Sequence, residues 1–474
     1  MRRQAIVGSC GHRRSSIGTA NGIIIGSRRD TAVRHFAGFL PRQVGRPSNK
    51  LTTMNKKIGN IFKGDKVIWM VFFFLCIISV VEVFSASSSL SYKGGNYWGP
   101  VIKHAGLLFV GWFFMMVVAN VSCRFFKIAT TPLLIISFLM LAWVLVAGQA
   151  TNDASRWVSI MGIAFQPSEI AKGSVVLATA QILSAMQTET GASPGAMKRV
   201  ILLSGFFIIL ILFENFSTAF LLGVVVFLMM FVGRVPFKQL GKLLGVLTVM
   251  ALGFLALIMV AGNDEQPLPD KQLLTEQTVE KKETSKISKI FHRFDTWKGR
   301  IHKFMNNEEV PPEKFDLDKD SQIGHSKIAI ASSNVIGKGP GNSVERDFLP
   351  QAFSDFIYAI IIEEMGIAGS VGVAMLYVIL LFRVGRIAHR CENNFPAFLI
   401  MGLAFLLVSQ ALFNMAVAVG LAPVTGQPLP LISKGGTSSI INCVYIGAIL
   451  SVSRSAIKKE GTIVTKGMSR ILAD

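Results

Sequence analysis

A succession of long apolar runs restricts the folds open to this chain. After Met54, ten runs approach the roughly 20 residues that an α-helix needs to cross a bilayer. They cover residues 67–87, 105–123, 128–148, 170–187, 199–213, 217–233, 242–262, 356–383, 396–420 and 436–454. Hydrophobic residues make up 51% of the chain and charged residues only 16%, which excludes an ordinary soluble domain. The sequence predicts an all-α polytopic membrane protein, a bundle of about ten transmembrane helices.

The basic residues predict how this bundle is oriented. Lysine and arginine concentrate before the first run, in alternate loops after it, and behind the tenth run. By the positive-inside rule these loops and both termini face the cytoplasm. The net charge of +20 is therefore an orientation signal, and no nucleic-acid partner is expected. Residues 263–355 then form one large extracytoplasmic loop, in which the polar stretch 264–320 is typical of a disordered or partner-binding insert.

The first 53 residues differ from the rest of the chain. They are rich in arginine, contain the single acid Asp30, and include no run long enough to span a membrane. A transit peptide and a tail that binds anionic lipids both have this composition. A third interpretation, which we favour because the composition changes abruptly, is that translation starts at Met54 and the segment is not native. Residues 54–474 are then the membrane domain.

Three acids mark the start of the eighth run. A glycine-rich stretch leads through a charged cluster to Asp355, and Glu363 and Glu364 follow inside the apolar run. Acids at membrane depth are costly and usually mark a functional site or a buried pair. Asp355 by itself also fits a helix N-cap. Glu363 and Glu364 would lie about 12–14 Å deeper in a helix, where we expect them to pair with cations or stay neutral.

Two further motifs lie on the same predicted face of the membrane. The first is QPSEIAK at 166–172, in which Glu169 and Lys172 share one helix face; an ion pair that only joins helices is the alternative to a functional role. The second is 422–439, with three prolines and three glycines. It predicts a broken or re-entrant segment, which is tolerated only where it lines a cavity or is buried in protein. An ordinary tight external loop is the alternative.

These motifs together resemble the SEDS family, the RodA, FtsW and SpoVE proteins of bacterial cell-wall synthesis. The resemblance covers residues 60–456 and rests on QPSEIAK, GKGPGNS, LPQAFSDFIYAIIIEEMG and PLPLISKGGTS, in this order. It is nearer to FtsW, the division member. The family implies a peptidoglycan glycosyltransferase that polymerises lipid II, an undecaprenyl-diphosphate-linked disaccharide peptide, at the outer face of the cytoplasmic membrane. Its implied partners are a class B penicillin-binding transpeptidase and other division proteins.

The resemblance also implies a site. The family's catalytic carboxylate falls on Asp355, the candidate base for the acceptor hydroxyl. Candidate substrate-binding residues, mostly cations for the diphosphate, are Arg156, Glu169, Lys172, Lys327, Arg346, Ser433 and Lys434. No resident cofactor is expected and no metal ligands are assigned, although a divalent cation is compatible with the chemistry. A lipid II transporter and a non-catalytic division scaffold remain alternatives.

The sequence departs from the family pattern near the site. The usual HisThrAsp is FSD at 353–355, the usual SerTyrGlyGly is SKGG at 433–436, and the usual GlnProAspLeuGlyThr is FENFST at 213–218. The first change removes an imidazole next to the base, and the second places Lys434 in the expected cavity wall. In the third, either Glu214 replaces the missing aspartate by a shift of position, or that role is absent.

Overall fold

A computed structural model describes residues 63–87, 98–147, 149–151, 154–160, 163–261, 321–349 and 354–471. The predicted N-terminal extension and the 264–320 insert lie outside the described residues. Within these ranges the long helices are α1 Lys66–Ser87, α2 Trp98–Asn120, α3 Cys123–Ala147, α4 Pro167–Ala185, α5 Pro194–Glu214, α6 Phe216–Val232, α7 Phe237–Ala261, α9 Ile357–His389, α10 Asn394–Ala418 and α11 Thr437–Ile471. A shorter helix, α8, covers Ser321–Ala331.

Each predicted span coincides with one of these helices. The helices often begin earlier than predicted, since α2 starts at Trp98 rather than 105 and α3 at Cys123 rather than 128. Among the described residues, seven helices are long and apolar enough to cross a membrane, namely α1, α2, α3, α5, α9, α10 and α11. Helix α6 is also apolar, but at 17 residues it is shorter than these seven. The chain is therefore an all-α, multi-pass membrane protein.

Local sequence explains several helix boundaries. Both α4 and α5 have proline in their first turn, Pro167 and Pro194, where the missing N–H has no intrahelical partner to lose. Asn215 ends α5 and begins α6, and its side chain accepts a hydrogen bond from the Ser217 N–H at 3.0 Å. This cap turns the fifth and sixth predicted spans into two distinct helices joined at one residue.

Small strands occupy a region predicted only as a loop. β1 Gln149–Thr151, β2 Ala154–Ile160 and β3 Ile163–Phe165 form an antiparallel sheet in the order β1-β2-β3. β4 Gln187–Thr188 and β5 Gly191–Ala192 form a second antiparallel pair between α4 and α5. Aromatic and β-branched residues in β2, such as Trp157 and Val158, favour an extended backbone.

Helices α4 and α10 form the packed centre of the bundle, whereas the outer helices expose phenylalanine and leucine side chains. Glycines allow the close contacts that membrane helices use. A Cβ atom on Gly173 would lie 2.7 Å from the Tyr445 ring, and one on Gly402 would lie 2.7 Å from Val176. Helix α9 is broken at Gly366 (φ 72°, ψ −175°). This break and the non-helical stretch before α11 frame the candidate site.

Candidate active site

The glycine-rich stretch folds over the break in α9. The Lys338 N–H donates to the Glu363 carbonyl at 2.9 Å, and the Gly339 N–H donates to the Glu364 carbonyl at 2.8 Å. A Cβ atom on Gly337, whose φ is +85°, would lie 2.3 Å from the Glu364 carbonyl oxygen. Only glycine allows this approach. The motif GKGPGNS is therefore explained by backbone contact with α9.

The Glu363 side chain is fully buried and holds this loop. Its carboxylate accepts hydrogen bonds from the Lys338 Nζ at 2.6 Å and the Val344 N–H at 3.1 Å, and also from the Ser343 hydroxyl. The predicted pairing of Glu363 with a cation is therefore present. Because these donors engage both oxygens, the carboxylate serves as the anchor of the loop.

The neighbouring Glu364 ties the same loop to α1. Its carboxylate accepts from the N–H groups of Gly341 at 3.1 Å and Ser343 at 3.3 Å, and from the Ser85 hydroxyl. The Arg346 Nη1 lies 3.8 Å from Glu364 and donates to the Ser85 hydroxyl and the Gly341 carbonyl. Arg346, a candidate substrate cation, is thus held inside the loop structure.

Asp355 lies half-buried in the turn that leads into α9. Its Oδ1 accepts a hydrogen bond from the adjacent Ser354 hydroxyl at 2.9 Å. The alternative interpretation of Asp355 as a helix N-cap is wrong, because Phe356 occupies that position. The Asp355 carbonyl accepts from the Asn414 Nδ2 at 2.9 Å, and the Ser354 carbonyl accepts from the Ser433 hydroxyl at 2.6 Å.

The segment before α11 is broken and buried, as predicted, and is not an ordinary external loop. Leu429, Leu431 and Ile432 are at most 2% exposed. Its carbonyl groups bind polar side chains of surrounding helices: Asn414 donates to Gln427, Gln410 to Pro428, Tyr377 to Pro430 and Ser79 to Ile432. These bonds satisfy irregular backbone that would otherwise be costly at membrane depth.

The Glu169–Lys172 pair lies beneath this segment. The Lys172 Nζ donates to Glu169 Oε1 at 2.9 Å and to Gln410 Oε1 at 2.8 Å. Lys172 is 0% exposed, so its ammonium group is enclosed by protein. Gln410 in turn donates to the Pro428 carbonyl at 3.0 Å. The pair therefore links α4 to α10 and to the broken segment.

The other predicted residues are dispersed. Lys327 is exposed on α8, and Lys434 is half-buried directly after Ser433. Burial lowers the pKa of Lys434, and the nearby Lys103 ammonium lowers that pKa further. Arg156 lies on β2, and its side chain is outside the described part of the structure. Glu214 Oε1 accepts from the Ser168 hydroxyl at 3.0 Å.

Three features were not predicted from sequence. They are Asn414 and Gln410 on α10 and the bond between Ser433 and the backbone beside Asp355. Buried amides four residues apart on an apolar helix were the available signal, since such groups need partners. Among the described residues, no cluster of three or more metal-ligating side chains occurs.

This arrangement defines a class of protein: an α-helical, multi-pass membrane protein with a half-buried carboxylate beside a buried, broken segment. The sequence matches the FtsW/RodA/SpoVE family of cell cycle proteins over residues 65–458. The match covers most of the chain, so the protein belongs to this family. The resemblance seen in the sequence motifs is confirmed.

Relatives support the assignment over most of their length. The chain is 28% identical over 397 residues to the probable peptidoglycan glycosyltransferase FtsW of Halomonas elongata, covering 81% of this chain and 90% of the relative. It is 30% identical over 399 residues to the protein of the same name from Geobacter metallireducens, covering 82% and 94%.

Solved structures share the fold. A chain of a peptidoglycan synthase complex that coordinates polymerization and crosslinking matches with a TM-score of 0.61 at 23% identity, covering 83% of this chain and 98% of that one. The rod shape determining protein RodA of Thermus thermophilus matches with a TM-score of 0.55 at 22% identity, covering 84% and 99%.

Proposed function

We propose that this protein is a peptidoglycan glycosyltransferase that polymerises lipid II during cell division. Family membership and the names of its relatives support this activity. We place the reaction at the outer face of the bacterial cytoplasmic membrane and both termini in the cytoplasm. The one-sided lysine and arginine pattern supports that orientation.

The position of Asp355 carries the proposal. It is a half-buried acid at the start of α9, next to the broken segment. Glu363 and Glu364, in contrast, are 0% exposed and already accept several hydrogen bonds. A general base must reach both its substrate and the proton it removes. Among these three acids, Asp355 meets that condition.

The reaction needs one base and a means of stabilising the leaving group. Asp355 takes the proton from the acceptor sugar hydroxyl as that oxygen attacks the anomeric carbon of the lipid-linked donor. The bond from that carbon to the diphosphate breaks, and the diphosphate leaves with the bonding electrons. Attack opposite an axial diphosphate inverts the anomeric centre and gives a β-linkage. Lys434 and Lys327 are the candidate cations for the diphosphate charge.

Other predicted residues have supporting roles in this proposal. Glu169 and Lys172 brace the broken segment through Gln410, and Arg346 orders the loop over α9. A class B penicillin-binding transpeptidase is the proposed partner, together with other division proteins. The support is the shared fold with a chain of a complex that coordinates polymerization and crosslinking.

The test is polymerisation of lipid II by purified protein with its transpeptidase partner. Asp355→Asn keeps the size of the side chain but cannot take up the proton at neutral pH. We expect it to accumulate normally and to lose about 10²- to 10⁴-fold in turnover. Asp347→Asn is the matched control, because Asp347 is an exposed acid on the preceding loop, and it should retain full turnover.

Two outcomes would contradict the proposal. Turnover of Asp355→Asn within a few-fold of wild type would remove Asp355 from the mechanism. Wild-type protein that makes no polymer with its partner, yet moves lipid II across vesicles, would establish the transporter alternative instead.

A further inference from the structure

The backbone around Asp355 is held from two sides. Peptide groups are planar, so the direction of a residue's side chain is set by the two torsions that join its flanking peptides. The peptide before the Asp355 Cα carries the Ser354 carbonyl, and the peptide after it carries the Asp355 carbonyl. Ser433 donates to the first at 2.6 Å, and Asn414 donates to the second at 2.9 Å.

The two donors are themselves fixed. Asn414 is 1% exposed, and its Nδ2 also donates to the Gln427 carbonyl at 2.7 Å. Two carbonyl partners require the amide nitrogen to face them, which settles the orientation of this side chain. Ser433 is 2% exposed, and its hydroxyl accepts from the Leu429 N–H at 2.7 Å while it donates to Ser354.

Side chains, rather than helical hydrogen bonds, hold the turn at Asp355 that precedes α9. At the start of α9, the N–H groups of Ala359 and Ile360 donate to the Phe356 carbonyl. The Asp355 carbonyl precedes that ladder, so its bond to Asn414 replaces a helical one. Two partners distant in sequence, 59 and 79 residues away, thus hold one short turn.

We propose that Asn414 and Ser433 are positioning residues that clamp both peptide groups flanking Asp355 and thereby aim its carboxylate at the acceptor hydroxyl. This inference rests on the proposed function of Asp355. It reassigns Ser433 from substrate binding to backbone support, and it gives Asn414 a role in the reaction. The competing explanation is that Asn414 and Ser433 only satisfy two buried carbonyl groups and do not affect the reaction.

The experiment measures kcat and KM for lipid II polymerisation by the full chain with its transpeptidase partner. Asn414→Leu removes the amide at similar size, and Ser433→Ala removes the hydroxyl. Each should lower kcat about 10- to 100-fold, because a misplaced catalytic group is costly, while KM stays within about 2-fold. Tyr377→Phe is the matched control. It removes another buried bond to the broken segment, at the Pro430 carbonyl, and should leave kcat unchanged.

A second readout separates positioning from general support. In an Asp355→Asn background the carboxylate is absent, so adding Asn414→Leu or Ser433→Ala should lower the residual rate no further. If Asn414→Leu fails to accumulate, Ser433→Ala decides the matter, since it acts on the other peptide.

Three results would overturn the clamp: unchanged kcat in Ser433→Ala, a rise in KM alone, or a full additional loss in the Asp355→Asn background. Loss of activity in Asp355→Asn with normal kcat in the clamp variants would refute the clamp and leave the proposed function intact. Retained activity in Asp355→Asn would refute both.

Discussion

Asp355 and the pair Glu363–Glu364 are acids at the start of the same helix, yet their surroundings are opposite. Asp355 is half-buried, and a neutral hydroxyl of its own turn donates to its side chain. Glu363 and Glu364 are fully buried and bind backbone N–H groups, hydroxyls and the cations Lys338 and Arg346. Sequence position alone does not separate an accessible acid from an enclosed one.

The acids differ in which of their groups the surrounding protein binds. The lone pairs of Glu363 and Glu364 are engaged by the glycine-rich loop, so taking a substrate proton would require that loop to detach. Asp355 is half-buried, and Asn414 and Ser433 bind the backbone carbonyls on either side of its Cα. In the first region, the Glu363 and Glu364 carboxylates hold the glycine-rich loop. In the second, the Asn414 amide and the Ser433 hydroxyl hold the backbone of Asp355.

The largest expected contrast is in stability. Glu363→Ala leaves the Lys338 ammonium, the Ser343 hydroxyl and the Val344 N–H without their acceptor. Breaking a fully buried pair costs about 3–5 kcal/mol, and because the Lys338 side chain is 30% exposed we expect a loss near the lower end of that range. Asp355→Ala should cost under about 1 kcal/mol, because its side chain is half-exposed. Thermal unfolding in detergent measures both, and equal losses for the two variants would contradict the comparison.

The contact between the loop and the break in α9 predicts an intermediate effect. Gly337 and Gly341 both have positive φ, +85° and +87°, but a Cβ atom on Gly337 would collide with the Glu364 carbonyl whereas one on Gly341 would meet nothing within 4 Å. Gly341→Ala should cost about 1 kcal/mol from backbone strain alone. Gly337→Ala should cost about 2–3 kcal/mol.

Because the strain is common to both glycine variants, the difference between their unfolding free energies reports the collision. Equal destabilisation of the two would show that the loop does not press against α9 in the way described.

The smallest effect concerns Lys434, which differs from Lys338 in its environment. Lys338 binds Glu363, whereas burial and Lys103 lower the pKa of Lys434 in the folded protein. Between this lowered pKa and pH 10.5, the ordinary pKa of a lysine, the Lys434 side chain binds more protons in the unfolded chain than in the folded one. The free energy of unfolding therefore rises with pH across that window. Lys434→Met should raise Tm at neutral pH by no more than about 2 °C, because solvent screens a half-exposed group.

The check is the difference in Tm between Lys434→Met and wild type from pH 7 to pH 10. That difference should shrink as pH increases through the alkaline range. A Lys434→Met protein that is less stable than wild type at pH 7 would show that Lys434 contributes a favourable interaction to the fold.

The sequence by itself determined the helices and the motifs. Ten apolar runs predicted ten helices because a bilayer span requires a continuous stretch of about 20 apolar residues. Such a stretch can be recognised from adjacent residues in the sequence. The acids inside the eighth run and the prolines and glycines of 422–439 were equally local signals, and they correctly indicated buried pairs and a broken segment.

Tertiary structure alone decided what each polar group does. Lys172 and Asp355 were both candidate site residues, but Lys172 is enclosed by Glu169 and Gln410 while Asp355 stays half-exposed. The clamp joins Asp355 to Asn414 and Ser354 to Ser433 across 59 and 79 residues of chain. Burial and hydrogen-bond partners depend on which segments come into contact when the helices pack. These segments are distant in the sequence, so a local pattern of residues does not predict their contacts.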